Sequence, residues 1–136
     1  MILCDTGPLI ALTIENDSHH ERCTATLAQL PSDSLVTTWP CLAETMHMVG
    51  KLAGLKGQEA VWTMLREGLL RLHQPSATCC QRLPELMREY ADAPMDLADA
   101  SLVLAAEELG LRLVFTLDQH FHAYRIANGE AFQVVP

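Results

Sequence analysis

Short runs of apolar residues alternate along the chain with longer stretches in which apolar side chains recur at the spacing of helices. The short runs predict five strands, at residues 1–4, 35–38, 69–73, 113–115 and 132–135. Strands that alternate with helices form βαβ units, whose strands lie parallel. The pattern therefore predicts an α/β fold with a mainly parallel central sheet that is covered by helices on both faces.

Proline, glycine and capping residues mark the boundaries of the predicted helices. Gly7-Pro8 opens a short first helix, because proline is tolerated in a first helical turn. Asp17-Ser18 is expected to cap a second helix that runs to residue 30, before Pro31. The remaining helices are predicted at residues 41–53, 58–67, 78–90, 96–109 and 118–124. Three residues are expected to end or interrupt helices, namely Gly54, Pro84 and Gly110.

Length and composition indicate one domain, residues 1–136, with an excess of apolar residues. At 15.0 kDa the chain can bury a core without disulfides or structural metals. Hydrophobic residues make up 49% of the chain and charged residues 19%, against about 25% charged residues in an average domain. So little polar surface predicts an exposed apolar patch, and with it a homodimer or a bound partner.

Charge and hydropathy exclude several kinds of partner. No stretch approaches the about 20 unbroken apolar residues that cross a bilayer, and the N-terminus lacks the features of a signal peptide. We therefore expect a cytoplasmic protein without a membrane contact. The net charge of −8, with nine Lys and Arg residues, argues against a broad basic surface that would bind duplex DNA.

Carboxylates occur where the predicted strands end. Asp5 ends the first strand, and Asp118 follows the fourth strand. Glu44 lies in the helix after the second strand. Since ligands bind beyond the carboxyl ends of parallel strands, these acids are expected at one edge of the sheet. Asp99 joins them if the long helix enters from the same edge, and Asp96, three residues earlier, shares its helix face.

Several carboxylates close together repel one another, so that some stay protonated or a cation joins them. Mg²⁺ or Mn²⁺ is the expected cation, because hard oxygen ligands suit both ions. Such an ion can activate a water and neutralise charge on the leaving oxygen of a phosphodiester. The pattern therefore predicts a metal-dependent phosphodiesterase site, as a hypothesis that depends on geometry.

Each acid also has a structural interpretation that stays open. Asp96 and Asp118 can cap the helices that follow them, and Asp99 can interact favourably with a helix dipole. Glu44 alone would be an ordinary surface residue. Asp5 is the hardest to explain in this way, because a carboxylate at a buried strand end needs a partner or a metal.

Three sequence blocks together resemble the PIN-domain nucleases, specifically the small VapC-like toxins of type II toxin–antitoxin systems. They are ILCDTGPLIAL at the start, CLAETMHMV in the first third, and MDLADASLVLAAEELG with LRLVFTLDQHF towards the end. Each block is weak alone, but the blocks have the order and spacing of the family. The resemblance covers the whole domain.

The resemblance implies an α/β/α sandwich with an acidic pocket that holds Mg²⁺ or Mn²⁺. It also implies endoribonuclease activity that leaves a 5′-phosphate and a 3′-hydroxyl. Matched block by block, Asp5 and Asp99 occupy the positions of the metal ligands. Glu44 and Asp118 would complete the catalytic pocket, directly or through water. Accessory hydroxyls match Thr6 and Thr116, whereas Asp96 is extra to the four acids.

The resemblance also implies partners. These are an RNA substrate, a second copy of the chain, and an antitoxin whose C-terminal segment covers the pocket. DNA would be bound only indirectly, through the antitoxin. Few basic residues are available to flank the pocket, and the candidates are Lys51, Lys56, Arg66, Arg82, Arg88 and Arg125.

Rival interpretations fit the sequence less well. Asp5-Thr6-Gly7 spells the triplet of aspartic proteases, but the predicted helices contradict the all-β fold of those enzymes. A phosphatase that forms an aspartyl-phosphate would need Asp where the chain has Gly7, and no phosphate-binding glycine motif occurs. The remaining alternative is a PIN-like module without catalysis that acts through a partner complex, although all four acids are present.

Overall fold

A computed structural model describes residues 1–31 and 34–136. The strands are β1 (Ile2–Cys4), β2 (Leu35–Thr37), β3 (Leu70–Leu72), β4 (Leu113–Phe115) and β5 (Gln133–Val135). The helices are α1 (Thr6–Thr13), α2 (His20–Gln29), α3 (Trp39–Arg66), α4 (Cys79–Glu89) and α5 (Leu97–Leu109), with a 3₁₀ helix at Gln119–His122. All five predicted strands are therefore confirmed to within two residues.

The five strands form one parallel sheet in the order β3-β2-β1-β4-β5. Side chains along β1 alternate between the two faces. Leu3 belongs to a core with α4 and α5, whereas Ile2 and Cys4 belong to a core with α1 and α3. The predicted three-layer α/β/α sandwich is confirmed, with the sheet buried on both faces.

Helix α5 lies deepest in the molecule, because every residue from 98 to 106 is buried. Four of these residues are alanines, and their small side chains allow a close approach to the sheet. The helix ends at Gly110, whose φ of 66° is left-handed, as the sequence predicts. Among the described helices, none combines the length and apolarity that a membrane span requires.

Two predicted helix boundaries are wrong. Helix α2 begins at His20, and Asp17 instead accepts a hydrogen bond from the His19 amide within a turn. Helix α4 continues through Pro84, although proline removes a helical hydrogen bond. Leu83, Leu86 and Met87 of α4 pack in the core beside α5, and this burial outweighs the lost bond.

The two helices predicted at residues 41–53 and 58–67 form one element with a break. Helix α3 spans Trp39–Arg66, and Gly54 within it has φ 62° and ψ −156°. Only glycine adopts this backbone region without strain. The predicted interruption at Gly54 is therefore correct, and the chain resumes the helix directly after it.

Candidate active site

Asp5 lies where β1 ends and α1 begins, and its side chain is buried. It caps α1, since its Oδ1 accepts a hydrogen bond from the Thr6 amide at 2.7 Å. Its Oδ2 accepts one from the hydroxyl of Thr116, also at 2.7 Å. The carboxylate that interrupts the first apolar run is thus a helix cap, and both of its oxygens are held in place.

Thr116 and Asp118 follow β4, which pairs directly with β1. The hydroxyl of Thr116 donates to Asp5 and accepts a hydrogen bond from the Asp118 amide at 2.9 Å. Asp118 Oδ1 accepts one from the His120 amide at 2.9 Å, and so caps the 3₁₀ helix. The capping role that the sequence left open for Asp118 is confirmed, and it places this acid beside Asp5.

Glu44 approaches the same edge of the sheet from α3. Its Oε2 lies 3.0 Å from the hydroxyl of Thr6, the residue after Asp5. Cys41, on the preceding turn of α3, places its Sγ 3.8 Å from Asp5 Oδ1. Glu44 is exposed, whereas Asp5 is only 8% exposed. Glu44 is therefore the acid of this pair that solvent or a substrate reaches freely.

Asp99 enters from the first turn of α5. Asp96 caps this helix, since its Oδ1 accepts a hydrogen bond from the Asp99 amide at 2.9 Å. Asp99 Oδ2 accepts one from the hydroxyl of the fully buried Tyr124 at 2.8 Å. The thiol of Cys41 lies 3.8 Å from both Asp5 Oδ1 and a backbone carbonyl oxygen of α5. The start of α5 therefore reaches the edge where Asp5 lies, the condition for Asp99 to join the site.

Burial and mutual repulsion raise the pKa of the two deepest acids. Burial raises the pKa of Asp5, its hydrogen bonds from two threonines oppose the rise, and the charges of Asp118 and Glu44 add to it. Burial likewise raises the pKa of Asp99 to about 7, and three carboxylates add to the rise, namely Asp96, Asp5 and Asp118. We call Asp5, Glu44, Asp99 and Asp118 together the acidic edge, because each bears on the electrostatics of another.

Among the described residues, no Lys or Arg forms an ion pair with a member of the acidic edge, and the basic side chain in contact with it is the imidazole of His120, whose Nδ1 lies 2.7 Å from Asp118 Oδ1. Within residues 1–31 and 34–136, no three Cys, His, Asp or Glu side chains are grouped to hold a metal ion. Mg²⁺ does not require such a group, because it keeps several waters and binds through one or two carboxylates. Asp5 and Asp99 are buried hard-oxygen donors whose chemistry fits this mode, and Glu44 and Asp118 would reach such an ion through water.

Two of the six basic residues considered for RNA binding are held by acidic neighbours. Arg66 lies 3.6 Å from Glu59, and Arg82 forms a two-pronged pair with Glu107 at 2.9 and 2.7 Å. Arg125 follows the tyrosine that contacts Asp99, and its guanidinium donates to two backbone carbonyl oxygens. The guanidinium of Arg125 is therefore held by the backbone of its own loop.

Four residues that were not predicted to belong to the site support the acidic edge. Tyr124 contacts Asp99, Cys41 contacts Asp5, and the buried hydroxyls of Thr38 and Ser101 lie 2.6 Å apart. The last contact ties the residue before α3 to α5, which carries Asp99. Cys41 could have been found, because it lies within a sequence block that indicates the site. Tyr124 lies outside these blocks, and a buried aromatic residue is normally interpreted as part of the hydrophobic core.

Known proteins resemble this chain along its whole length. No protein-family model matches the chain. It is 27% identical over 136 residues to Ribonuclease VapC26 of Mycobacterium tuberculosis, and the matched region covers 99% of this chain and 100% of that protein.

Solved structures with the same fold include three proteins of toxin–antitoxin systems. VapC20 of Mycobacterium tuberculosis, a toxin that cleaves the sarcin-ricin loop, has a TM-score of 0.81 and 20% identity, covering 90% of this chain and 94% of that one. VapBC2 from Rickettsia felis, bound to a DNA fragment from its promoter, has a TM-score of 0.67 and 18% identity, with both chains covered completely. A toxin–antitoxin complex from Klebsiella pneumoniae has a TM-score of 0.59 and 22% identity, covering 100% and 97%. The chain is thus VapC-like in sequence along its whole length and has the PIN-like fold of the VapC toxins.

Proposed function

We propose that this protein is a metal-dependent endoribonuclease and the toxin of a toxin–antitoxin pair. The observation that carries the proposal is the acidic edge, where Asp5 and Asp99 are buried near each other without a paired Lys or Arg among the described residues. A cation would relieve this repulsion, and an RNA phosphodiester is a substrate that such a cation can activate. The relative that is 27% identical over the full length is itself a ribonuclease.

The roles of the side chains follow from their contacts. Asp5 and Asp99 would hold Mg²⁺ or Mn²⁺, which when bound supplies Lewis-acid activation of water and charge neutralisation at the leaving oxygen. The Thr6 amide and the Thr116 hydroxyl fix the orientation of Asp5. Hydrogen bonds of this kind commonly determine how well a carboxylate binds a metal.

The outer acids would act on the attacking water. Glu44 is exposed and accepts a hydrogen bond from the Thr6 hydroxyl, next to Asp5, so that it could orient the water and accept its proton. Asp118 lies beside Asp5 through the Thr116 hydroxyl and would complete the same water-positioning group. Cleavage by this route leaves a 5′-phosphate and a 3′-hydroxyl.

The proposal includes partners and a location. An antitoxin would bind across the acidic edge and silence it, and two of the structures with this fold are toxin–antitoxin complexes. The exposed apolar side chains of α3, such as Leu52 at 57% and Leu55 at 70% exposure, suit a homodimer or that antitoxin. The proposal also includes RNA as the substrate and the cytoplasm as the place where the protein acts.

The deciding experiment is cleavage of a mixed RNA pool by the purified protein. It is run with Mg²⁺ or Mn²⁺ and with EDTA, beside Asp99→Asn and the matched control Asp92→Asn, which changes an exposed acid. We expect cleavage that requires the metal, persists in Asp92→Asn and is lost in Asp99→Asn. Equal cleavage by the wild type and Asp99→Asn would refute the proposed site, and no cleavage by any form would favour the binding module.

A further inference from the structure

An exposed indole borders the acidic edge. Trp39 is the first residue of α3, and 50% of it is exposed. Its Nε1 donates to Gln74 Oε1 at 3.4 Å, so the polar group of the ring is satisfied within the protein. Gln74 follows β3, which pairs with β2, the strand that leads to Trp39. The contact holds the ring by its Nε1 edge, while half of the residue stays exposed to solvent.

Trp39 is tied to the acidic edge on both of its sides in the chain. Thr38 precedes it, and its hydroxyl lies 2.6 Å from that of Ser101 on α5, the helix that carries Asp99. Cys41 follows two residues later and contacts Asp5 Oδ1 at 3.8 Å. The backbone at Trp39 therefore lies between a contact to α5, which carries Asp99, and a contact to Asp5 itself.

A second exposed apolar side chain lies at the equivalent place on α5. Leu97 is the first residue of that helix and is 48% exposed. The Cys41 thiol lies 3.8 Å from the carbonyl oxygen of Ala98, the next residue. The starts of α3 and α5 are thus adjacent, and each presents an apolar side chain to solvent beside the acidic edge.

The protein is acidic, so a bound polyanion needs contacts whose strength does not depend on charge, such as contacts with an aromatic ring. With nine Lys and Arg against 17 Asp and Glu, the chain can form few phosphate contacts. Stacking of a base on an aromatic ring adds affinity that does not depend on charge and accepts any base. An unpaired base has a free face for such a contact, whereas a paired base is stacked within its helix.

We propose that Trp39 is a stacking platform for an unpaired base of the RNA, next to the bond that the acidic edge cleaves. The inference rests on the proposed ribonuclease function and adds a residue that positions the substrate at the acidic edge. Trp39 is a positioning residue, because it binds a base and takes no part in the chemistry. Leu97 is a second exposed apolar side chain, at the start of α5.

Binding is tested separately from cleavage in an Asp99→Asn background. The probes are a fluorescein-labelled single-stranded RNA of mixed sequence and the same RNA annealed to its complement. Trp62→Phe leaves Trp39 as the one indole of the chain, because the sequence contains two tryptophans. We expect the single strand to quench Trp39 fluorescence and the duplex to leave it unchanged.

Substitutions at Trp39 then separate stacking from apolar burial. Trp39→Phe keeps an aromatic face, and we expect affinity within about threefold of the parent. Trp39→Ala and Trp39→Leu lose the ring, and we expect about 5- to 150-fold weaker binding of the single strand. With Asp99 restored, Trp39→Ala should raise KM for RNA with little change in kcat, since the lost binding is the same before and during the reaction.

The outcomes distinguish this inference from the proposed function. If the wild type cleaves RNA and Trp39→Ala or Trp39→Leu binds and cleaves equally well, the stacking inference is overturned and the ribonuclease stands. If the wild type neither binds nor cleaves any RNA, the ribonuclease proposal fails and the inference fails with it. Unchanged RNA affinity in Trp39→Ala together with loss of a co-expressed antitoxin would assign the ring to a protein partner, which also overturns the inference.

Discussion

Replacement of Asp99 by Asn is expected to stabilise the metal-free protein at pH 8 while it abolishes cleavage. Burial and nearby carboxylates raise the pKa of Asp99 from 3.8 to about 7. The folded protein therefore holds this proton more tightly than the unfolded chain does. The stabilising effect of that proton is complete below about pH 4 and is lost as the pH rises through 7. Above pH 7, the ionised carboxylate destabilises the fold.

The size of this penalty can be estimated from the pKa. A rise of about three pH units corresponds to an upper limit of about 4 kcal/mol in the free energy of unfolding. Solvent screening and relaxation of the neighbouring acids reduce this value, and we expect about 1–2 kcal/mol at pH 8. An Asn side chain avoids the penalty, and its oxygen can still accept the hydrogen bond from Tyr124. The expected rise in Tm is about 3–6 °C.

Urea unfolding in EDTA at pH 4.5 and pH 8 measures the effect. The difference between Asp99→Asn and wild type should appear at pH 8 and shrink towards zero at pH 4.5. Asp92→Asn is the matched control, because Asp92 is exposed, and its stability should follow that of the wild type at both pH values. A variant that is less stable than wild type at pH 8, or a difference independent of pH, would contradict the electrostatic argument.

Four further predictions concern the same elements. Mg²⁺ or Mn²⁺ at 100 times its Kd should stabilise the wild type by about 2.7 kcal/mol and leave Asp5→Asn and Asp99→Asn unchanged, as thermal unfolding would detect. Tyr124→Phe removes the hydroxyl that orients Asp99, and we expect a 10- to 100-fold loss in metal affinity or cleavage, measured by metal titration and initial rates. Gly54→Ala places a side chain at φ 62° and should cost about 1–3 kcal/mol in urea unfolding. Asp96→Asn keeps a good N-cap, so stability should hold within about 0.5 kcal/mol and cleavage within about threefold, whereas cleavage lost as in Asp99→Asn would make Asp96 a metal ligand.

The part of the site that follows strand ends could be predicted from the sequence. Asp5 and Asp118 each come directly after an apolar run, and parallel strands bring such positions to one edge by topology. Whether Asp99 joins the site depends on where α5 begins relative to the sheet, and no local sequence pattern predicts that position. The role of Tyr124 depends on the contact of its fully buried ring with Asp99, which lies 25 positions earlier in the chain. Long-range packing of this kind leaves no periodic signal in the sequence.

Errors in the fold prediction have the same origin. Pro84 breaks helices by local rules, but α4 buries Leu86 completely beside α5 and continues through the proline. The cap proposed at Asp17 failed because its side chain accepts the amide of His19, which makes a turn two residues before the helix. In both cases a contact that competes with the local preference decides the structure.

Helix capping explains how a metal-free fold tolerates so many acids at one edge. Asp5 caps α1, Asp96 caps α5 and Asp118 caps the 3₁₀ helix, so that each carboxylate accepts a backbone amide that would otherwise lack a partner. The positive end of a helix dipole also stabilises the negative charge of Asp5 and Asp96. Burial and the neighbouring carboxylates raise the pKa of Asp99, and the hydrogen bond from the Tyr124 hydroxyl opposes this rise. Helix capping therefore places two of the four acids of the acidic edge, Asp5 and Asp118, and a bound cation would stabilise the ionised forms of Asp5 and Asp99, whose pKa values burial raises.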